Sequence, residues 1–161
     1  MEENLFYGGP VPKNKDKSFY WVTTRLLRES GPWCAEVLSS PEDVYEIINK
    51  QFDLENCDRE HFLAIHLNTK SRINAISTVS IGTSNSTTVA PKETFKTAII
   101  SNSDVIILAH NHPSGDPTPS KDDIETTQRL VEAGKILGIH IVDHIIFGAG
   151  KYLSFKNKGL I

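Results

Sequence analysis

A run of five apolar residues in the middle of the sequence constrains the fold most. Residues 105–109 read Val-Ile-Ile-Leu-Ala without a polar interruption. Such a run is consistent with a buried strand, so we predict a central strand at this point. A proline-rich loop, residues 113–119, follows it and leads to a helix that begins at Ser120. The rest of the domain must therefore be arranged around this strand.

Three helices are predicted in the sequence. The first begins with a serine N-cap and Pro41, and we expect it to end before Glu60. Pro91 opens the second helix. The third begins at Ser120 and stops at Gly138, because glycine readily adopts the left-handed conformation that ends a helix.

Four further strands are predicted at residues 62–67, 72–81, 139–147 and 152–155, the first two forming a hairpin. Together the elements indicate an α/β domain of the α+β type, with a mixed central β-sheet flanked by about three helices.

The 161 residues are enough for one domain and little more. We interpret residues 1–17 as a flexible amino-terminal tail, because they are polar and show no periodicity. Residues 18–38 form an extension with one weakly predicted strand at 18–28. Residues 39–161 form the domain itself.

The composition excludes several classes of protein. The net charge is −3, so we expect no strong direct binding to nucleic acid. No apolar run approaches the roughly 20 residues that a membrane helix needs. Cys34 and Cys57 are too few for a disulfide framework, and no secretion signal is recognised, so we expect a cytoplasmic protein and two inert cysteines.

Two histidines lie where the predicted central strand ends. His110 and His112 are two residues apart, so in an extended chain both side chains point to the same side. Two imidazoles placed in this way can converge on one metal ion, with bonds of about 2.0 Å if the ion is zinc. The spacing equally allows two hydrogen-bonding histidines at a strand end.

Asp123 lies three residues after the predicted N-cap Ser120. This spacing is typical of a capping box, which gives Asp123 a structural role without any metal. The two roles are compatible, because a capped helix start would hold Asp123 near the chain that returns from His112. Two histidines and one carboxylate would leave a fourth position for water, as in catalytic zinc sites.

The same segment resembles a known family. His110, His112 and Pro113, then Ser120 after six residues and Asp123 after two more, match the JAMM signature of the JAB/MPN metalloproteases. The strings HNHPSGDP at 110–117, PKETF at 91–95 and DHII at 143–146 are similar to the RadC branch. The resemblance covers about residues 38–161. It implies a cytidine-deaminase-like architecture and one Zn²⁺ per chain, held by His110, His112 and Asp123.

The resemblance also implies catalytic roles for two residues. The family has a glutamate at the end of the first helix, just before a strand, that acts as the base for the zinc-bound water. Glu60 occupies that context, and we assign the base to it. Its competitor is Glu93, in the first turn of the second predicted helix, where an acid simply suits the helix dipole. Ser120 is implied as a hydrogen-bond donor to the oxyanion.

The remaining titratable residues are interpreted from their positions alone. His61 and His66 have opposite parity on one predicted strand, so they cannot form a site together. Asp143 and His144 belong to the RadC-like pattern and either order the site or simply form strand structure.

The resemblance implies a zinc-dependent metallohydrolase that cleaves a peptide or isopeptide bond, whereas the residues alone indicate only metal-assisted hydrolysis. The substrate, a peptide or a protein, is not identified, and a homodimer is one open option. The alternative is an accessory DNA-transaction module, in repair or on mobile elements, with the metal site in a supporting role. A metal-free scaffold is a third hypothesis, although such domains lack the ligands that this chain keeps.

Overall fold

The structure is a computed structural model that describes residues 37–82 and 89–161. It contains helices α1 (Pro41–Phe52), α2 (Pro91–Ile100) and α3 (Lys121–Leu137), and a short 3₁₀ turn at Leu54–Asn56. The strands are β1 (His61–Leu67), β2 (Ile73–Ile81), β3 (Val105–Asn111), β4 (His140–Gly148) and β5 (Lys151–Ser154). No helix in the two described ranges combines the length and the apolar character needed to cross a bilayer. The predicted tail and the strand at 18–28 lie outside the described residues.

The five strands form one mixed sheet in the order β2-β1-β3-β4-β5. Strands β3 and β4 are parallel, and all other neighbours are antiparallel. Helix α3 makes the long crossover that a parallel pair requires. The predicted mixed sheet is confirmed, and the apolar run at 105–109 is its central strand, as expected.

The helices cover both faces of the sheet. Alternate residues of β3 point to opposite faces, so Ile107 and Ala109 pack on the side of α1, whereas Ile106 and Leu108 pack on the side of α2 and α3. This two-sided burial explains why β3 is apolar without interruption. It also places the carboxyl end of β3 between the two helical layers, where the chain becomes polar.

The helix boundaries follow the predicted caps. The Ser120 hydroxyl accepts from the Asp123 N–H, and Gly138 ends α3 in the left-handed conformation. Helix α1 ends before Glu60, as expected. It stops at Phe52, because Asp53 takes a left-handed conformation with φ 48° and donates its N–H to the Asn49 carbonyl. Glu60 therefore does not lie at the end of the first helix. It lies immediately before β1.

The loop after β3 is held against the turn between β4 and β5. Gly115 has φ 79°, and its carbonyl accepts from the Ala149 N–H over 3.1 Å. A Cβ atom at Gly148 would collide with this carbonyl and with the ring of Pro117, so only glycine permits the close approach. The loop that carries His112 is thereby fixed to the sheet.

A buried histidine away from the carboxyl end of β3 predicts a loss of stability in acid. His66 is fully buried, its Nε2 lies 2.8 Å from Ser77 Oγ, and its Nδ1 has no hydrogen-bond partner among the described residues. Burial lowers the pKa of His66 from 6.5 to about 4. The unfolded chain therefore takes up this proton at a higher pH than the folded chain does, and the free energy of unfolding should fall between pH 6.5 and pH 4, by about 3 kcal/mol.

Denaturant unfolding of His66→Leu across this pH range measures the effect. The variant should lose that part of the acid-dependent decrease, while His140→Leu, the same change at an exposed histidine, should retain it. An unchanged pH dependence in His66→Leu would contradict the assignment.

Candidate metal centre

Four polar side chains from three parts of the chain converge at the carboxyl end of β3. They are Glu60 before β1, His110 in β3, His112 just after it and Asp123 in the first turn of α3. One nitrogen or oxygen atom from each lies within 4.8 Å of those from the other three. The structure therefore brings together all three predicted metal ligands and the predicted base.

The spacing of the ligand atoms suits a metal ion. His110 Nε2 lies 3.0 Å from His112 Nε2, 3.3 Å separate His110 Nε2 from Asp123 Oδ1, and 3.5 Å separate His112 Nε2 from Asp123 Oδ2. Atoms that bind one tetrahedral ion at about 2.0–2.1 Å lie about 3.3 Å from one another. These three side chains therefore fit a single ion without rearrangement of the main chain.

Asp123 serves the helix cap and the cluster at the same time. Its Oδ2 accepts from the Ser120 N–H over 2.7 Å and from the Ser120 hydroxyl over 2.6 Å. Burial alone would raise the pKa of the Asp123 carboxyl, but hydrogen bonds with His110 and His112 hold it well below its usual range. The carboxylate is therefore ionised, as a metal ligand must be.

Glu60 is the outer member of the cluster. Its Oε1 lies 3.8 Å from His112 Nε2, and its side chain is 31% exposed against 2% for His110. The competing Glu93 lies in the first turn of α2, where it accepts from Lys96 Nζ over 2.6 Å. The structure thus places Glu60, and not Glu93, beside the histidines. Its role as the base stays a prediction.

The ring of His112 is oriented by the loop that follows it. His112 Nδ1 donates to the carbonyl of Asp116 over 2.7 Å, which turns Nε2 toward the cluster. The pKa of His112 is raised, chiefly because its ring can donate to the Asp123 carboxylate. A metal ion would replace the proton that this raised pKa favours.

A buried hydrogen-bond chain connects His110 to α3. His110 Nδ1 lies 2.7 Å from His144 Nε2, and His144 Nδ1 lies 2.7 Å from Thr127 Oγ1. The Thr127 hydroxyl donates to the main-chain carbonyl of Asp123 over 2.6 Å. This hydrogen-bond chain therefore starts at one candidate ligand, His110, and ends at the backbone of another, Asp123.

The proton positions follow from these partners. Thr127 has one hydroxyl hydrogen, which the Asp123 carbonyl accepts, so Oγ1 must accept from His144 Nδ1. Complete burial lowers the pKa of His144 well below its usual value, which keeps the ring neutral and leaves its Nε2 as an acceptor. His110 Nδ1 must then donate to His144. The His110 ring is consequently left with Nε2 free to bind a metal.

The other residues singled out in the sequence lie outside the cluster. Asp143 holds residues 154–156 instead, because its Oδ1 accepts from the Lys156 N–H and its Oδ2 from the Ser154 hydroxyl.

The histidines of β1 and Cys57 are also separate from the cluster. His61 and His66 lie on opposite faces of β1, as predicted. Cys57 is half-buried, and burial raises the pKa of its thiol, which disfavours the reactive thiolate. Cys34 lies outside the described residues.

Sequence reasoning missed two residues that support the cluster. Thr127 lies four residues after Asp123, so the two share one face of α3, and this spacing was the available signal. Asn111 lies between the two histidines and points to the opposite face of the sheet, where its amide contacts the segment that carries Glu60. Its position inside the motif was the only signal for it.

The hydrogen-bond chain predicts that Thr127 influences metal affinity without touching the metal. Thr127→Val keeps the shape of the side chain but leaves the His144 Nδ1–H without its acceptor, which favours the ring forms that place a proton on His110 Nε2. We expect Zn²⁺ to bind about 10–100-fold more weakly, the usual effect of losing a partner behind a ligand. Titration against a chromophoric chelator measures this.

Thr126→Val is the matched control, since it makes the same change one residue away, outside this chain of contacts. Wild-type zinc affinity in Thr127→Val would show that the hydrogen-bond chain does not determine which ring nitrogen of His110 is free to bind the metal.

The chain has clear relatives. Residues 38–160 match the RadC-like JAB domain family. A UPF0758 protein of Desulforamulus reducens is 54% identical over 125 residues, which cover 78% of this chain and 54% of the relative. UPF0758 proteins of Desulforudis audaxviator and Methanosarcina mazei are 45% and 46% identical, over 94% and 77% of this chain and 65% and 53% of their own lengths. The chain thus spans between half and two thirds of these curated relatives, and it belongs to the RadC-like JAB domain family.

Proposed function

We propose that this domain is a zinc-dependent hydrolase of the JAB type that cleaves a peptide or isopeptide bond. The observation that carries the proposal is the convergence of the His110, His112 and Asp123 ligand atoms at separations of 3.0–3.5 Å, with the Glu60 carboxylate beside them. Membership of the RadC-like JAB family supports hydrolysis as the reaction class. Because the relatives are longer, the proposal concerns this domain.

The donor set supports zinc as the metal. Two imidazole nitrogens and one carboxylate oxygen are ligands that zinc accepts, whereas Mg²⁺ and Ca²⁺ prefer sites built from oxygen. Three protein ligands leave one position open, as in catalytic zinc sites. We therefore propose one Zn²⁺ per chain, held by His110, His112 and Asp123.

A zinc ion bound there would supply Lewis acidity, which polarises an amide carbonyl and lowers the pKa of water toward about 7. Glu60 is the carboxylate left outside the ligand set, and its half-exposed position gives it access to solvent and substrate. In the proposed reaction, Glu60 takes a proton from the attacking water and passes it to the nitrogen of the leaving amine. In this proposal three of the four side chains hold the metal, and the fourth moves a proton.

Ser120 is the residue for which an oxyanion contact is proposed. Its hydroxyl hydrogen is directed at Asp123 Oδ2, at 2.6 Å, and not at open space. Donation to an oxyanion therefore requires the hydroxyl to turn away from Asp123. The Ser120 N–H, 2.7 Å from the same oxygen, would keep the carboxylate in place during that turn. We propose that orienting Asp123 is the permanent function of Ser120.

The decisive comparison is between two glutamates. Glu60→Gln should retain zinc, because Glu60 is proposed as a base and not as a ligand, yet lose at least about 10²-fold in rate. Glu93→Gln, the matched control on α2, should behave as wild type. The assay exposes a peptide mixture that includes isopeptide-linked peptides to each protein and detects new amino termini by mass spectrometry, with bound zinc measured in parallel.

Each outcome of this assay has a defined meaning. Cleavage that disappears with a chelator and returns with zinc supports the proposal. Absence of any zinc-dependent cleavage by the wild type contradicts it and favours the DNA-transaction alternative. Loss of zinc from Glu60→Gln would make Glu60 a ligand, and full activity in that variant would remove it from the mechanism.

A further inference from the structure

The asparagine between the two histidines holds the main chain on both sides of Glu60. Asn111 is fully buried at the end of β3. Its Oδ1 accepts from the His61 N–H over 2.8 Å, and its Nδ2 donates to the Arg59 carbonyl over 2.9 Å. A longer contact of 3.4 Å joins Nδ2 to the Cys57 carbonyl. The peptide groups before and after Glu60 are therefore fixed by one side chain.

The hydrogen bonds of Asn111 replace main-chain pairing at the point where the pairing between β1 and β3 stops. The ladder between β1 and β3 begins at Phe62 and His110, so residues 57–60 lie beyond it. The carbonyl of Glu60 accepts from the Gly82 N–H over 2.8 Å on the other side. The backbone of Glu60 is thus tied to β3 through Asn111 and to the end of β2 through Gly82, which leaves mainly the side-chain torsions free.

An apolar residue at position 111 would fill the same space but could not make these bonds. It would remove the acceptor of the His61 N–H and one of two partners of the Arg59 carbonyl, whose other partner is His61 Nδ1 at 2.9 Å. An asparagine can donate and accept at once, so it can bind the N–H and the C=O that flank a single residue. The side chain is therefore suited to fix a main-chain segment.

We propose that Asn111 is a positioning residue that sets the direction of the Glu60 carboxylate relative to the metal ligands. The inference rests on the proposed function, because it concerns the base of that reaction. Asn111 is the chain neighbour of both His110 and His112, so a single rigid strand end carries two ligands and holds the base. A change at this one position should disconnect the base while leaving the ligands in place.

The test compares Asn111→Ala with Asn74→Ala. Asn74 is a matched control because its Nδ2 also donates to two acceptors, the Ser101 carbonyl and Ser103 Oγ, at the opposite end of the sheet. Three quantities are measured for each variant: hydrogen exchange at the His61 amide, bound zinc, and kcat and KM for a peptide that the wild type cleaves.

In Asn111→Ala the His61 amide should exchange at least about 10-fold faster, zinc should stay near one per chain, and kcat should fall about 10–100-fold with little change in KM. In Asn74→Ala none of these three should change. Should Asn111→Ala not fold, zinc and kcat are measured in Asn111→Asp, which keeps the acceptor for His61 and lacks the amide donor for Arg59. Zinc should again stay near one per chain while kcat falls.

Unchanged exchange at His61 in Asn111→Ala, or unchanged kcat in either Asn111 variant, would overturn the proposal. Loss of zinc in proportion to kcat would also overturn it, because Asn111 would then act through the ligands. If the wild type cleaves nothing, the proposed function fails and this inference fails with it, whereas a failure confined to the Asn111 variants leaves the proposed function intact.

Discussion

The carboxylate of Asp123 belongs both to the cap of α3 and to the candidate metal centre. One oxygen accepts two hydrogen bonds from Ser120 and so closes the first turn of α3, while the other faces His110. The cap fixes the position of the carboxylate, and the positive end of the helix dipole favours its charge. The candidate metal centre therefore includes a side chain that is held at the start of α3, the longest helix among the described residues.

The central strand supplies the second fixed point. Strand β3 pairs with β1 on one side and with β4 on the other, and helices cover both of its faces. His110 and Asn111 extend this strand beyond its apolar run, and both remain buried. His110 faces α3, where His144 and Thr127 determine which ring nitrogen is free, whereas Asn111 faces the segment that carries Glu60. Side chains on the two faces of one strand end thus contact the His144–Thr127 hydrogen-bond chain and the segment that carries Glu60.

Local patterns in the sequence were enough to predict the parts of the site that depend on local geometry. The caps at Ser40 and Ser120, the stop at Gly138 and the common direction of His110 and His112 follow from spacing within a single element. The sequence predicted only that α1 ends before Glu60, and its end at Phe52 could not be located more closely, because the residue in the left-handed conformation is Asp53 and not a glycine. The contacts of Thr127 and Asn111 could not be predicted, since they depend on how α3 packs against β4 and how residues 57–60 fold back on β3.

We propose that one zinc ion is held by His110, His112 and Asp123 while Glu60 remains outside its bonding distance. An anomalous difference map at the zinc edge, from crystals of the protein loaded with one equivalent of zinc, tests this most directly. We expect one peak per chain, about 2.0–2.2 Å from His110 Nε2, His112 Nε2 and an Asp123 oxygen. A peak elsewhere, or one bonded to Glu60 in place of Asp123, would contradict it.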